Sequence, residues 1–262
     1  SSRESSVRSR GFKFAAVTAI AAHLTGLNRI VVPESGQGAL GPVLLPLHNV
    51  YADYRNHPTY FRKMERFVKA VLGHDVRYDQ PRLWNTKGET ISAFRRATNK
   101  AVDELFETRS CWQQRWNAKM DGKLLQCGLC AACLLRRMSM HAAEIEEPAH
   151  TYVIADLTGP AFRNALPGRS KVRLSRTMAE YGSVGARHLQ QLADMADLPD
   201  ADLKVHAFEI ARATVEPQEE VLKKIRNMLL THAKEWRAFM AAQGEQSFLR
   251  SWTKGGRRGR SE

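Results

Sequence analysis

Every cysteine of the chain lies between residues 107 and 137. Cys111 ends the run Thr-Arg-Ser-Cys, and Cys127, Cys130 and Cys133 follow in Gln-Cys-Gly-Leu-Cys-Ala-Ala-Cys-Leu-Leu-Arg-Arg. Thiols at two-residue spacing can turn several sulfurs toward one point, and a more distant fourth completes a tetrahedron, the closed geometry of a structural zinc site. Gly128 suits the tight turn of such a knuckle. Four thiolates leave no open position on the ion, so this zinc would hold structure and not activate water. They also leave it negatively charged, which Arg109, Arg115, Arg136 and Arg137 are placed in sequence to offset. Two other chemistries share the pattern. An iron–sulfur cluster matches the first three ligands, but its usual fourth position is Arg137, so Cys111 would have to be recruited. Two disulfides would need an oxidising compartment, and nothing else in the chain reads as a small secreted scaffold. Zinc is the reading carried forward, with breakage of the site expected to unfold its surroundings.

The elements that must position these thiols are legible from periodicity. Residues 12–24 are apolar on nearly all sides and predict a helix packed deep in the molecule, with Gly26 as its C-terminal cap. The β-branched run 29–33 predicts a buried strand, and helix plus strand make one step of a parallel α/β sheet. The loop after that strand lies where open α/β sheets bind ligands, which gives Glu34 a chemical setting or, as a loop residue, none. Gly36, Gly38 and Gly41 spell the dinucleotide fingerprint, but Pro42 and Pro46 interrupt the helix that would receive a pyrophosphate.

His57-Pro58 opens an amphipathic helix to about Leu72, stopped by Gly73. His57 reads as a ligand-facing group or, more ordinarily, a local hydrogen-bonding one. A strand is expected near 76–78. Thr86 and Glu89 form a capping box ahead of a further helix, which leaves Lys87 unexplained. A helix is expected over 134–144 and a brief strand over 152–157. Helices follow at 184–196, 201–213 and 217–243, and the last carries a core-type apolar stripe. Residues 245–262 end in Lys-Gly-Gly-Arg-Arg-Gly-Arg and read as a disordered basic tail.

A formal net charge of +13 favours anionic partners: nucleotides, phosphates or nucleic acid. Residues 1–27 superficially resemble a leader peptide, but the apolar run leads straight into a strand and reads as part of a fold. No stretch is apolar for long enough to cross a membrane, and the free thiols predict a reduced, cytoplasmic setting. The first residue is Ser1, which fits removal of an N-terminal segment.

Taken in order, Arg10 before an apolar helix, strand, Pro-Glu-Ser-Gly loop, His-Pro and Lys-x-Glu helix starts, then Thr-Arg-Ser-Cys with Cys-x2-Cys-x2-Cys-x3-Arg resemble the 7-cyano-7-deazaguanine synthase (QueC-like) family. The match covers roughly residues 8–145, and its most specific part is Ser-Cys followed by the three clustered cysteines and Arg137. The Pro-Glu-Ser-Gly and Asn-His-Pro segments are more similar to the variant branch of anti-phage defence operons (QatC-like) than to the housekeeping enzyme of queuosine synthesis.

The resemblance implies an α/β fold: the C-terminal part of a PP-loop ATP pyrophosphatase sheet (adenine nucleotide alpha hydrolase-like) over 1–149, with a four-cysteine zinc knuckle, a helical extension over 150–244 and the tail. It implies a ligase that adenylates a 7-carboxy-7-deazaguanine-type carboxylate with ATP and Mg2+, then forms an amide or nitrile. It places Arg10, Glu34 and Lys87 near nucleotide or substrate and implies defence-operon proteins as partners. Gly11 stands where the housekeeping enzymes usually carry Asn. The family's Ser-Gly-Gly-x-Asp-Ser phosphate loop occurs nowhere in this sequence, so a missing N-terminal segment or a separate subunit would have to supply it. The alternative is a non-catalytic zinc-stabilised module that binds nucleic acid or protein through its basic surface.

Overall fold

Short strands joined by longer helices dominate the computed structural model, which describes residues 9–46, 52–98, 102–112, 118–120, 122–165 and 176–254. Arg115 and the last eight residues lie outside these. In chain order come α1 (Arg10–Leu24), β1 (Arg29–Val31), α2 (Gly36–Ala39), α3 (Gly41–Leu44), α4 (Pro58–Leu72) and β2 (Arg77–Asp79). Then follow α5 (Lys87–Ala97), α6 (Asp103–Phe106), β3 (Lys119–Met120), β4 (Lys123–Leu124) and α7 (Ala131–Ala142). The chain finishes with α8 (Arg176–Asp194), α9 (Asp200–Thr214), α10 (Gln218–Ala242) and α11 (Phe248–Thr253). The protein is thus mixed α/β and mostly helical, with one small parallel sheet. No described helix is long and apolar enough to cross a membrane.

Packing divides the chain into two units, Ser1–Thr86 with Leu198–Met228, and Lys87–Asp197 with Leu229–Glu262. This partition follows packing, whereas the sequence boundary near residue 150 followed composition.

In the first unit β1 and β2 pair in parallel with Ile30 opposite Tyr78, the step expected from the sequence. Burial explains why α4 forms where it does. Its Phe61, Met64 and Val68 recur at helical spacing and pack with Tyr78, Val76 and the alanines of α1. Pro58 sits at its first turn, His57 accepts the Thr59 N–H at its N-terminus, and Gly73 at φ 64° ends it. α9 lies against α4, where Glu209 accepts from Tyr54 and Thr59, each at 3.2 Å.

Two expectations for this unit are corrected. α1 is not packed deep in the molecule: it buries only Ala15, Ala19 and Ala22, and leaves Phe14, Val17, Ile20 and Leu24 exposed. Small side chains let α1 approach the sheet closely enough for the Tyr78 hydroxyl to donate to the Ala15 carbonyl at 2.7 Å. The large side chains therefore point the other way. The 29–33 segment is likewise only half buried, because β1 has a neighbour on one edge alone among the described residues.

The second unit is built around α7, which packs against α5 on one side and α8 on another. At Gly185 of α8 an added Cβ would lie 2.8 Å from the Ala131 backbone, so only glycine allows this approach. Trp236 and His232, both buried on the second half of α10, hydrogen-bond Gln190 Oε1 and the Leu189 carbonyl, each at 2.9 Å. Two expectations fail here as well. Residues 152–157 form no strand; Tyr152 makes an isolated bridge to Gln126, and the segment serves as a wall for the cysteine knuckle. Nor is the chain a disordered tail from residue 245: Phe248 and Trp252 of α11 form an aromatic cluster with Phe162. Ser247 caps α11 by accepting the Leu249 N–H.

Candidate metal centre

The four thiols come from two directions. Cys127, Cys130 and Cys133 belong to the knuckle that leads into α7, with Cys130 at its N-cap and Cys133 in its first turn. Cys111 arrives on a separate arm after α6. All four are free of disulfides, and their sulfurs lie within 4.8 Å of one another. Cys127, Cys130 and Cys133 are buried, and Cys111 is partly exposed.

The knuckle's shape has identifiable causes. Gly128 adopts φ 84°, and a Cβ there would stand 2.3 Å from the Ile154 carbonyl oxygen, so the turn requires glycine on both counts. The wall is fastened by N–H donation from Val153 to Gln126 O and from Ile154 to Cys127 O, at 2.8 and 3.2 Å. Backbone N–H groups point at the sulfurs: Leu129 and Cys130 donate to Cys127 Sγ at 3.4 and 3.3 Å, Cys127 to Cys111 Sγ at 3.3 Å, and Trp112 to Cys130 Sγ at 3.5 Å. Such donors favour thiolates and orient them.

Three arginines lock the arm and wall in place. Arg136, 2% exposed, donates to Glu147 Oε1 at 2.7 Å, to Thr108 Oγ1 at 2.6 Å and to the Leu105 carbonyl at 2.6 Å, tying the arm that carries Cys111 to α7. Arg109 donates to the Leu125 carbonyl, and Arg137 to the Ile154 and Ala155 carbonyls while lying 4.7 Å over the Tyr152 ring. These arginines are unequally placed to offset thiolate charge. Arg136 is neutralised by Glu147, whereas burial lowers the Arg137 pKa and nearby Tyr152, Glu147 and Cys133 oppose that shift.

The donor set fits one ion. A tetrahedron with ~2.3 Å metal–sulfur bonds has edges of ~3.8 Å, and Cys127 Sγ lies 3.8 Å from Cys133 Sγ. Thiolates of an iron–sulfur cluster attach to different irons and stand farther apart. Hydrogen bonds from the other three thiols pull the Cys111 thiol far below its usual range, whereas hydrogen bonds with Cys111, Cys127 and Cys130, and burial, hold Cys133 well above it. The Cys130 thiol is lowered too and Cys127 raised; a bound cation favours the ionised form of all four.

Of the remaining expected site residues, Arg10 and Glu34 belong to the first unit, and Lys87 to the second with the thiols. Arg10 is exposed at the start of α1. Glu34 follows β1, and its Oε1 accepts the Ser35 N–H at 3.1 Å. A Cβ on Gly38 would lie 2.3 Å from that oxygen, so the carboxylate folds back over α2. Lys87 opens α5 in the other unit. Glu147, Gln126 and Tyr152 escaped the sequence reading. Each acts on the knuckle through a distant partner, as when Gln126 Oε1 accepts the Ser110 N–H at 3.0 Å, and no local spacing signals that.

Fold and site together define a mixed α/β protein with a four-cysteine centre able to bind a metal such as zinc. No protein-family model, curated protein or solved structure matches the chain. The likeness to the 7-cyano-7-deazaguanine synthases accordingly rests on the motif residues alone.

Proposed function

We propose that the chain is the zinc-bearing portion of an ATP-dependent ligase similar to the 7-cyano-7-deazaguanine synthases, of the anti-phage-defence type. The observation that carries this reading is the meeting of Cys111, from Thr-Arg-Ser-Cys, with the three knuckle cysteines around a point sized for one ion. The residues most specific to the resemblance are thus the ones that converge. The zinc would fasten the Cys111 arm to α7, and four sulfurs would close it to water.

A carboxylate is a poor acyl donor until one oxygen becomes part of a good leaving group. In the proposed reaction the substrate carboxylate attacks the α-phosphorus of ATP and expels pyrophosphate. Ammonia or another amine then displaces AMP to give an amide. The carboxyl edge of β1 and β2, where open α/β sheets bind ligands, carries Glu34 and a cavity of about 130 Å3 whose lining includes Arg62, Glu65, Gln80 and Trp84. Arg10, Glu34 and Lys87 are proposed for the nucleotide and substrate. The phosphate loop is not in this sequence, so adenylation needs it from a further segment or subunit.

The test is metal analysis followed by AMP release from ATP and 7-carboxy-7-deazaguanine, with the chain purified together with its loop-bearing segment or partner. Expected are one zinc per chain and substrate-dependent AMP. Zinc without AMP release refutes the ligase, and bound iron with sulfide refutes the zinc site. The net charge of +13 favours a second reading, a zinc-stabilised nucleic-acid-binding module. Salt-sensitive nucleic-acid binding with no response to ATP would select it.

A further inference from the structure

The C-terminal half of α7 borders a cavity that neither the thiols nor the proposed ligase chemistry uses. It holds about 400 Å3, within the size range of small-molecule sites. Its walls are α7 from Arg137 onward, residues 144–148, Tyr152, Ala155 and Phe239 of α10, all in the second unit. None of Arg10, Glu34 and Lys87 lines it.

The cavity has a cation at one end and carboxylates at the other. Among the described residues, the bonded partners of the Arg137 guanidinium are the Ile154 and Ala155 carbonyls and the Tyr152 ring, which leaves further N–H donors on the same fork and no carboxylate in contact with it. Glu144 follows two helical turns later, on the order of 10 Å further along the axis. Its side chain is 86% exposed and 3.5 Å from Arg95, a pair worth little in water. Glu146 is exposed, with no hydrogen bond or ion pair among the described residues. Glu147 is already taken by Arg136 and the Tyr152 hydroxyl. Met140 lies between the two ends along α7, and buried Ile145 and Phe239 complete an apolar wall. Glu144 also holds φ 55°, a backbone region that favours glycine, so the chain sets a carboxylate at the mouth where no side chain would be easier.

We propose that this cavity binds a lysine-like zwitterion, with its carboxylate on the spare Arg137 donors, its four-carbon stem along Met140 and Phe239, and its ammonium between Glu144 and Glu146. A simple anion would meet the two glutamates, and a simple amine would leave the Arg137 charge without a partner. Opposite charges at the two ends of one apolar stem satisfy both. The Arg137 fork is already fixed by its carbonyl partners, so little side-chain freedom is lost when it takes a carboxylate.

The acidic mouth also sets this surface apart on a chain of formal net charge +13, whose other faces favour anions. Free lysine and a peptide that ends in lysine present the same three groups, a carboxylate, an alkyl stem and an ammonium. They differ at the α-nitrogen, which is charged in the first and an amide in the second.

The experiment is titration calorimetry on the 262-residue chain with lysine, Nα-acetyl-lysine, lysine amide and norleucine. Expected is saturable lysine binding with a Kd below ~1 mM. Lysine amide, which lacks the carboxylate, and norleucine, which lacks the terminal ammonium, should each bind at least ~10-fold more weakly. Nα-acetyl-lysine that binds as tightly as lysine supports the site with a peptide end as its source, and loss on acetylation supports it with the free amino acid. Glu146→Gln should weaken lysine by at least ~10-fold and leave norleucine unchanged. Glu144→Gly should weaken lysine likewise while holding or raising the melting temperature, because it relieves the left-handed backbone. No saturable lysine binding, equal affinity for norleucine or lysine amide, or Glu144 and Glu146 variants that bind lysine like the parent would each overturn the proposal. AMP release is not a readout here, so the ligase proposal stands or falls separately.

Discussion

Replacing Arg136 by methionine keeps most of the buried side-chain volume and removes the charge. Glu147, with a side chain 7% exposed, then loses its cation and keeps, among the described residues, the Tyr152 hydroxyl as donor. The Leu105 and Thr108 carbonyls lose their shared donor as well. Breaking a buried ion pair from one side costs about 3–5 kcal/mol. Each orphaned carbonyl costs about 1–3 kcal/mol when considered alone. These penalties overlap, since one guanidinium serves all the acceptors, so the expected loss is about 4–5 kcal/mol, roughly a 10 °C fall in melting temperature.

The same substitution frees the arm that delivers Cys111, so metal transfer to a coloured chelator should speed up by ~10-fold or more. Glu147→Gln in the Arg136→Met background removes the stranded carboxylate and should recover part of the stability, but not the metal retention, because the arm stays untied. Thermal melts and chelator competition on the two single variants and the double variant read both effects. Strictly additive single and double variants, or an Arg136→Met protein that holds its metal as firmly as the parent, would refute the assignment of Arg136 as the tie between α7 and the Cys111 arm.

Gly128→Ala places a Cβ 2.3 Å from the Ile154 carbonyl at a φ that L residues rarely adopt; a loss of at least ~3 kcal/mol is expected, read by denaturant titration. Cys133→Ser should abolish metal binding in elemental analysis and expose α7 to proteolysis, because its sulfur is fully buried on that helix, whereas Cys111→Ser on the partly exposed arm should leave weak residual binding. Acid should destabilise the fold through His57 and His232, whose pKa values burial lowers to about 4. A depressed histidine pKa gives stability present above the ordinary value of about 6.5 and lost as pH falls toward about 4, up to about 3 kcal/mol for each group. His57→Asn keeps an acceptor for the Thr59 N–H and removes the titration, so melts between about pH 6.5 and 4 should show a smaller decline than the parent's.

What the sequence disclosed depended on how far each cause reached along the chain. The cysteine centre was legible because three ligands share seven consecutive residues, and α4 because its buried positions repeat within a single helix. The devices that hold the centre were not legible. Gly128 is dictated by a carbonyl twenty-six positions later, and Arg136 by Leu105, Thr108 and Glu147, partners with no fixed spacing. α1 was misjudged for a different reason. Its composition announces an apolar helix but not which arc is buried, and that was decided by close approach, with Ala15, Ala19 and Ala22 fitting against Phe61, Met64 and Tyr78 where Phe14 or Leu24 would not. An alanine arc so well matched to its neighbours can form without the bulky arc being covered. The fold can therefore hold α1 in place while leaving its larger apolar face exposed.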